Sequence, residues 1–287
     1  MSWISKSPSF AANARLAPLG RRLVGILFLA LCSFQFVLGQ EATAADEMRA
    51  GVIAYKFLDY AGAAEHFKAA LEINPNLTQA RLFLATSIAQ QYIASDDSAA
   101  NVAVALQAIE QFKMVLNNDP GELEEYRALV PLASLSFNLK HFEEARDYYG
   151  KAIALKPKEA SNYFSVGIID WTEASHARTK MRNDMGLAES AMISKPEACV
   201  SLRAQNQQKV EDGIAHVQKA IELQPDYDDA MGYLNLLYRE RAEYECDDPE
   251  ARKADLKAAD DWTDKAIATK KAKIDSAAAE KEAPKQP

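Results

Sequence analysis

Four stretches of the chain share one pattern of apolar and polar positions. They are residues 65–75, 110–120, 147–157 and 215–225, which read EHFKAALEINP, EQFKMVLNNDP, DYYGKAIALKP and AHVQKAIELQP. Each places an aromatic or branched residue eight positions before a proline, with a small residue four positions earlier and a small or branched residue three positions later. Spacings of four and three put these side chains on one face of a helix. Each stretch is therefore predicted to be a helix that packs through this face.

Each of these helices is predicted to stop at its proline. Pro75, Pro120, Pro157 and Pro225 lack the N–H that would continue the helix and disfavour the helical conformation of the residue before them. A second apolar-periodic stretch follows each proline, beginning near residues 80, 126, 161 and 230. The unit is therefore helix, turn, helix, proline. Because Ala, Leu, Glu and Lys are frequent and Gly and Pro are few, we expect an all-α protein.

This unit resembles the tetratricopeptide repeat, which spans about 34 residues. The first copy carries the family's small, aromatic and proline residues at the eighth, twentieth, twenty-fourth, twenty-seventh and thirty-second places: Gly51, Ala63, Phe67, Ala70 and Pro75. The resemblance covers residue 45 to about residue 272. It implies a right-handed α-α superhelix, a solenoid of helical hairpins, preceded here by a signal or anchor helix.

The spacing of the prolines divides the solenoid into about five repeats. These are residues 45–77, 78–122, 123–158, 159–226 and 227–272. Residues 273–287 are polar, and we expect them to form a disordered tail.

The fourth repeat carries a long insertion between its two helices. The first helix is predicted to run to Gly186, and the second to begin at a capping box over Ser194–Glu197, so that this hairpin projects beyond its neighbours. In the third repeat, Pro131 is expected either to kink the first helix or to delay its start.

Residues 1–44 form a different kind of segment. Three arginines precede an apolar run at residues 23–39, and Ala42 and Ala44 then offer a small-x-small cleavage site. Two interpretations are open: a cleaved signal peptide, or a retained N-terminal membrane anchor with its start in the cytoplasm. Both predict an extracytoplasmic protein, in the periplasm or at the outer face of the inner membrane.

The charge of the chain limits its partners. The full sequence has a formal net charge of −8, and residues 45–287 hold 29 basic and 40 acidic residues, a charge of −11. A chain this acidic is repelled by phosphate backbones and by anionic lipid head groups. We therefore expect no nucleic-acid partner, and membrane contact only through residues 23–39.

The sequence offers little for catalysis. The nearest approach to a cluster is Asp170, Glu173 and His176, three residues apart on one helix, which is either a solvated face or a weak metal site. A hydrolase interpretation would rest on this stripe alone. There is no phosphate-binding loop or nucleophile motif, and every glycine is expected at a cap, a close contact or the signal. We expect no catalytic residue, no cofactor and no metal.

Two cysteines, Cys199 and Cys246, lie in the inter-helix connections of successive repeats and therefore on one edge of the stack. In an oxidising compartment they could form a disulfide. Straight helices would offset them by about 10 Å, whereas a disulfide needs Cα atoms within about 7 Å. The alternatives are a disulfide with a bent-back tip and two buried or free thiols.

The family resemblance implies a concave wall lined by the first helix of each hairpin. Its groove positions fall on Tyr55, Lys56, Leu82, Gln90, Arg127, Phe137, Asn138, Phe164, Trp171, Leu236, Arg239 and Glu240. Aromatic rings among Arg, Asn and Gln suit an extended or helical peptide. Phe137 and Phe164 are equally compatible with packing between helices. Met48 and Val52 replace the Lys and Asn of the chaperone-tail-binding branch, so that specialisation is not expected.

We therefore expect a non-catalytic interaction scaffold, exported to the cell envelope, that binds a protein or peptide in this groove. The alternative is a membrane-tethered structural subunit of an envelope assembly, retained by residues 23–39 and using the hairpin of the fourth repeat for lateral contacts.

Overall fold

The computed structural model describes residues 43–188, 191 and 193–282. This part of the chain contains helices and no strands, which confirms the all-α prediction. The helices are α1 Ala44–Lys56, α2 Tyr60–Ile73, α3 Thr78–Ala89, α4 Ala99–Leu116, α5 Glu122–Asn138, α6 Phe142–Leu155, α7 Ala160–Asp184, α8 Pro196–Leu223, α9 Asp228–Tyr244 and α10 Pro249–Glu282. Residues 1–42, which hold most of the predicted signal or anchor, lie outside the part of the chain that the structure describes.

The helices pack as successive hairpins. Each helix contacts the next one along the chain, and α3 also contacts α5 while α7 contacts α9. The helices α1, α3, α5, α7 and α9 are the first members of the five hairpins, so these additional contacts bring first helices of neighbouring hairpins side by side. We call them the first helices below.

The predicted packing face is buried in all four stretches. Its large residues Phe67, Phe112, Tyr149 and Val217 are at most 7% exposed. The small residues on either side of them are also buried. The face therefore fills the space between helices, because small side chains let neighbouring backbones approach and the large one occupies the remaining volume.

Helix ends follow the local signals. The second helices α2, α4, α6 and α8 all end two to four residues before their prolines. Gly186 closes α7 with a φ of +65°, in the left-handed region that glycine adopts without strain. Pro131 lies inside α5, which already begins at Glu122, so the proline does not delay the start of the helix.

The fourth hairpin is the longest. Its helices α7 and α8 have 25 and 28 residues, against 14 in α6 and 17 in α9. The second helix begins at Pro196 with Lys195 at the N-cap and no side-chain cap, so the capping box predicted at Ser194 does not form. Proline favours the first turn of a helix, and this places Ser194 outside the capping position.

The prediction of a disordered tail is wrong for residues 273–282, because these residues continue α10. Alanine, lysine and glutamate have high helix propensity, and Lys273 ties the helix to the hairpin by binding Asp228 at 2.6 Å and the carbonyl of Asp226 at 3.0 Å. At the other end, Asp248 caps α10 by accepting the N–H of Ala251 at 2.9 Å. Residues 283–287 lie outside the described part.

Candidate partner-binding groove

The carboxylates of the predicted metal stripe are engaged in ion pairs. Arg146 on α6 donates to Asp170 at 2.9 Å and also to Glu173, both on α7. From α8, Lys209 lies 3.3 Å from Glu173 and His216 lies 3.2 Å from Asp170. Burial disfavours the charge on Arg146, but the hydrogen bonds to the two carboxylates outweigh this effect and raise its pKa. This network joins three helices.

His176 is separate from those carboxylates. Its ring is exposed and lies 6.2 Å from the ring of Phe142, centroid to centroid. Among the described residues, no group of His, Cys, Asp and Glu side chains is arranged to hold a metal ion. The carboxylates of Asp170 and Glu173 therefore bind cations of neighbouring helices and are not grouped with His176.

Cys199 and Cys246 are joined in a disulfide with a Cα–Cα distance of 6.1 Å. The offset expected from straight helices does not apply here, because α9 ends at Tyr244, two residues before Cys246, and the N–H of Cys246 donates to Sγ of Cys199 at 3.2 Å. Arg203 on α8 holds the turn after α9 by donating to the carbonyl of Tyr244 at 2.8 Å and by pairing with Asp247. The bond links the fourth and fifth hairpins.

Two of the predicted groove residues are too deeply buried to contact a partner. Leu82 is 3% exposed and belongs to the N-terminal core. Glu240 is 4% exposed and accepts three hydrogen bonds of 2.7–3.0 Å from Arg178 on α7. Burial raises the pKa of Glu240, and Arg178 opposes the rise. The groove prediction is wrong for these two residues, because both point between helices.

The remaining predicted positions are accessible to different degrees. Lys56, Gln90, Arg127 and Arg239 are exposed, whereas Tyr55, Phe137, Asn138, Trp171 and Leu236 are half-buried and Phe164 is 9% exposed. Phe137 packs against Phe142 with ring centroids 5.8 Å apart and planes inclined at 52°, and Arg239 pairs with Asp260 at 2.7 Å. Their role in partner binding stays a prediction.

A pocket of about 520 Å³ lies where α7, α9 and α10 meet. It brings together two predicted groove residues, Phe164 and Leu236. Ile168 and Tyr233 extend its apolar wall, and Ile267 of α10 closes the other side. We call this space the C-terminal pocket. It is a concave and mostly apolar site, as ligand-binding sites usually are.

A row of aromatic rings supports this pocket. Phe164 contacts Tyr227 at 4.8 Å and Tyr233 at 5.3 Å, and Tyr233 in turn lies edge-on to Trp171 at 5.4 Å. Edge-to-face pairs at these distances are favourable and restrict each ring. The wall is therefore formed before any partner arrives.

Gly232 lies in the middle of α9 and lines the pocket. A Cβ atom there would meet no atom of the described residues within 4 Å, whereas one at Gly51, Gly167 or Gly213 would come within 2.3–2.8 Å of a neighbouring side chain. The expectation that every glycine marks a cap, a close contact or the signal is wrong for Gly232, and also for Gly150 on α6, where there is open space.

The charges at the pocket are unequally compensated. Asp228 pairs with Lys273, and its pKa is lowered by that hydrogen bond and by the nearby charges of Lys273 and Lys270. Asp229, the next residue, has no ion-pair partner among the residues that the structure describes. Burial, followed by the charge of Asp229, raises the pKa of Tyr233.

A larger pocket of about 630 Å³ lies between α2, α3 and α4. It contains none of the predicted groove residues, and its Arg81 already donates to Gln111 at 3.1 Å and to the carbonyl of Pro75 at 3.2 Å. The C-terminal pocket is therefore the better candidate for a partner site.

Sequence reasoning missed Asp229, Gly232, Tyr233 and Ile267 at this pocket. Asp229 and Gly232 occupy the second and fifth places of the fifth repeat, which the family pattern assigns to the groove. The available signal was a glycine in a helical stretch where alanine is favoured. Ile267 gave no signal, because the approach of α10 depends on tertiary packing.

Among the residues that the structure describes, no helix is both long enough and apolar enough to cross a membrane.

Residues 126–159 match the family described as tetratricopeptide repeat. The chain therefore contains a tetratricopeptide repeat at these residues, within a series of stacked helical hairpins. A search of curated protein sequences finds no significant match.

The fold is shared with solved structures of low sequence identity. A crystal structure of the MamA protein is 19% identical, with a TM-score of 0.53 over 85% of this chain and 98% of that one. MamA residues 41 to the end from Desulfovibrio magneticus RS-1 are 16% identical, with a TM-score of 0.52 over 80% and 96%. YrrB, described as a TPR protein with an unusual peptide-binding site, is 13% identical, with a TM-score of 0.50 over 80% and 92%.

Proposed function

We propose that the protein is a non-catalytic interaction scaffold that binds a peptide segment of another protein on the layer of first helices. The observation that carries this proposal is the C-terminal pocket, with its preformed row of rings and its open space above Gly232. A rigid apolar wall lowers the entropy lost on binding. YrrB, which shares the fold, is described as having a peptide-binding site, and this supports the same class of ligand.

Peptide selection tests this proposal. A phage-displayed library of random dodecapeptides is panned against the full chain, and selected peptides are measured against Leu236→Ser and Leu123→Ser. Leu236 lies in the pocket, whereas Leu123 is 46% exposed at the start of α5. We expect binding to the wild type and a loss of about tenfold only in Leu236→Ser. No selected peptide, or equal binding to both variants, would overturn the proposal.

We propose further that the chain is exported to the cell envelope. The basic and apolar pattern of residues 1–44 supports export. So does the Cys199–Cys246 disulfide, because disulfides persist in oxidising compartments. Thiol labelling of protein denatured without reductant tests this, read residue by residue because Cys32 is retained if the N-terminal segment is not cleaved. Export predicts that Cys199 and Cys246 are both protected, and labelling of these two residues in protein from the native host would contradict it.

The alternative function is a membrane-tethered structural subunit of an envelope assembly. The apolar run at residues 23–39 favours it, and the long α7–α8 hairpin offers a surface for lateral contacts. N-terminal sequencing of the purified protein separates the two functions. A start near Ala45 eliminates the tether, whereas an intact N-terminus in the membrane fraction supports it.

A further inference from the structure

We propose that the C-terminal pocket binds an apolar side chain of an extended peptide above Gly232, and that Asp229 binds a lysine or arginine next to it in that peptide. This inference rests on the proposed function and names the chemistry of the ligand.

The apolar part of the proposal follows from Gly232. A glycine inside a helix is less favourable than alanine, so its position is informative where it lines a pocket. Packing explains the glycine at Gly51, Gly167 and Gly213, where a Cβ would collide with Phe67, Val217 and Leu237. At Gly232 no described neighbour is close enough to exclude a side chain. The missing side chain keeps the pocket open.

The walls around this space define what fits into it. Phe164, Ile168 and Leu236 come from the first helices, and Ile267 from α10. Ile267 is 62% exposed, although it adjoins an apolar pocket. A branched or aromatic side chain above Gly232 would remove this apolar surface from water, which favours binding.

The cationic part of the proposal follows from the difference between two neighbouring carboxylates. Asp228 accepts a hydrogen bond from Lys273, whereas Asp229 forms no ion pair among the described residues and interacts with Lys273 only through its charge. Lys270 of α10 also lines the pocket. The neighbours of Asp229 include the phenol rings of Tyr227 and Tyr233, and its charge contributes to the raised pKa of both. A ligand cation here would meet the carboxylate of Asp229, which attracts it.

The charge of the whole chain acts in the same direction. Residues 45–287 have a formal charge of −11. The field of such a protein favours the approach of cationic segments and disfavours acidic ones.

Three synthetic dodecapeptides test the ligand chemistry. They are acetylated, amidated and identical except for a central Leu-Lys, Leu-Glu or Ser-Lys pair, and their affinity for the full chain is measured by fluorescence anisotropy. We expect Leu-Lys to bind about fivefold more tightly than Leu-Glu, the size of an exposed ion pair. Replacing Leu by Ser should weaken binding about tenfold through lost apolar burial.

Matched glycine variants test the pocket. Gly232→Leu fills the space above α9, and Gly150→Leu places the same side chain in open space on α6. Both replace a helical glycine by a good helix former, so both should fold, with thermal stability equal to or above that of the wild type. We expect Gly232→Leu to lose at least about tenfold in affinity for the Leu-Lys peptide and Gly150→Leu to keep it. Equal affinities in the two variants would overturn the proposal.

Variants at Asp229 test the cation. Asp229→Asn should remove the preference for Leu-Lys over Leu-Glu, and Asp229→Lys should reverse it. The preference should also shrink with added salt, because exposed ion pairs are screened. An unchanged preference in both variants would overturn the proposal.

The outcomes separate this inference from the proposed function. If library peptides bind but the three probes bind equally, the ligand chemistry is wrong and the scaffold function stands. If no peptide binds, both are wrong. Self-association of the chain that Gly232→Leu abolishes, without binding of any probe, would make a second copy the occupant and would also overturn the inference.

Discussion

The two ends of the solenoid are stabilised in different ways. In the N-terminal part, α1–α4, buried alanines and large apolar residues such as Phe67 and Phe112 form the core, and two partly buried polar contacts, His66–Glu47 and Arg81–Gln111, join neighbouring helices. In the C-terminal part, α7–α10, a similar apolar core is cross-linked by polar contacts between helices. Arg178 binds Glu240, Arg182 lies 2.9 Å from Glu243, and a disulfide joins α8 to the turn after α9.

This difference coincides with the position of the C-terminal pocket. Apolar packing tolerates small shifts of one helix against another, whereas a buried ion pair such as Arg178–Glu240 and a covalent bond fix the relative positions of helices. The pocket walls come from α7, α9 and α10, and the cross-links hold α7 and α8 to α9. The cross-links therefore keep the binding site in one geometry, which reduces the entropy that a partner must overcome.

The largest loss of stability is expected from a substitution in the N-terminal part, α1–α4. Phe112→Ala removes a side chain with no exposure and leaves a cavity, so we expect a loss of about 4 kcal/mol in the free energy of unfolding. Urea unfolding followed by circular dichroism measures it. Leu106→Ala on the same helix is the control, because Leu106 is 49% exposed and should change stability little. A loss below about 1 kcal/mol for Phe112→Ala would contradict the assigned core.

The next largest loss of stability is expected from a substitution in the C-terminal part, α7–α10. Arg178→Met leaves Glu240 buried without its cation, and we expect a loss of about 3 kcal/mol in urea unfolding. The double variant Arg178→Met, Glu240→Leu should recover part of this loss, because no unpaired charge remains. If the double variant is less stable than the single one, the penalty of the unpaired charge is not the cause.

The disulfide should contribute less. Cys199→Ala with Cys246→Ala should lower the free energy of unfolding by about 2 kcal/mol, at the low end of the usual range, because a helical hairpin keeps residual structure when unfolded. Hydrogen exchange should become faster at the start of α8 and at the turn after α9, and not in α1–α4. Faster exchange throughout the chain would mean that the two ends are not independent.

The smallest effect on stability is expected from the ionisation of Glu245, and it depends on pH. Burial and the neighbouring Asp255 raise the pKa of Glu245 from its usual 4.5 to about 7, and its Oε2 has no hydrogen-bond partner among the described residues. A carboxyl group with a raised pKa in the folded state favours folding while protonated. Its contribution is therefore complete below pH 4.5 and is lost as the pH rises through about 7.

Glu245→Gln tests this contribution, because the amide cannot ionise. The stability of the variant relative to the wild type should increase by about 1 kcal/mol between pH 5 and pH 8, after allowing for solvent screening. Thermal unfolding at both pH values measures it. A constant difference between variant and wild type would show that Glu245 does not titrate in this range.

Local signals predicted the helices and their ends, but not the contacts between distant residues. The four packing faces, the stops before proline and the turn at Gly186 all depend on neighbours within a few positions. In contrast, Arg178 and Glu240 are 62 residues apart, and either could have faced solvent. The sequence therefore placed Glu240 in the groove, and only the packing of α7 against α9 shows that it is buried.

The candidate site was predicted only in part, because the sequence pattern gives positions on a helix but not the contacts between distant helices. The family pattern selected Phe164 and Leu236, which line the C-terminal pocket, because first helices present fixed positions to the groove. It could not include Ile267, because Ile267 lies on α10, the second helix of the fifth hairpin, and the family pattern takes groove positions from first helices. The tail after residue 272 was expected to be disordered because it is polar, yet its helix propensity and the Lys273–Asp228 pair keep it helical.

The central claim is that partners bind in the C-terminal part, α7–α10. Hydrogen exchange with and without the Leu-Lys peptide tests it. The full chain is labelled at saturating peptide and analysed by mass spectrometry. We predict slower exchange in α7, α9 and α10 around Phe164, Gly232 and Ile267, and no change in α1–α4. Protection in α1–α4, or none anywhere when the peptide is bound, would contradict the account.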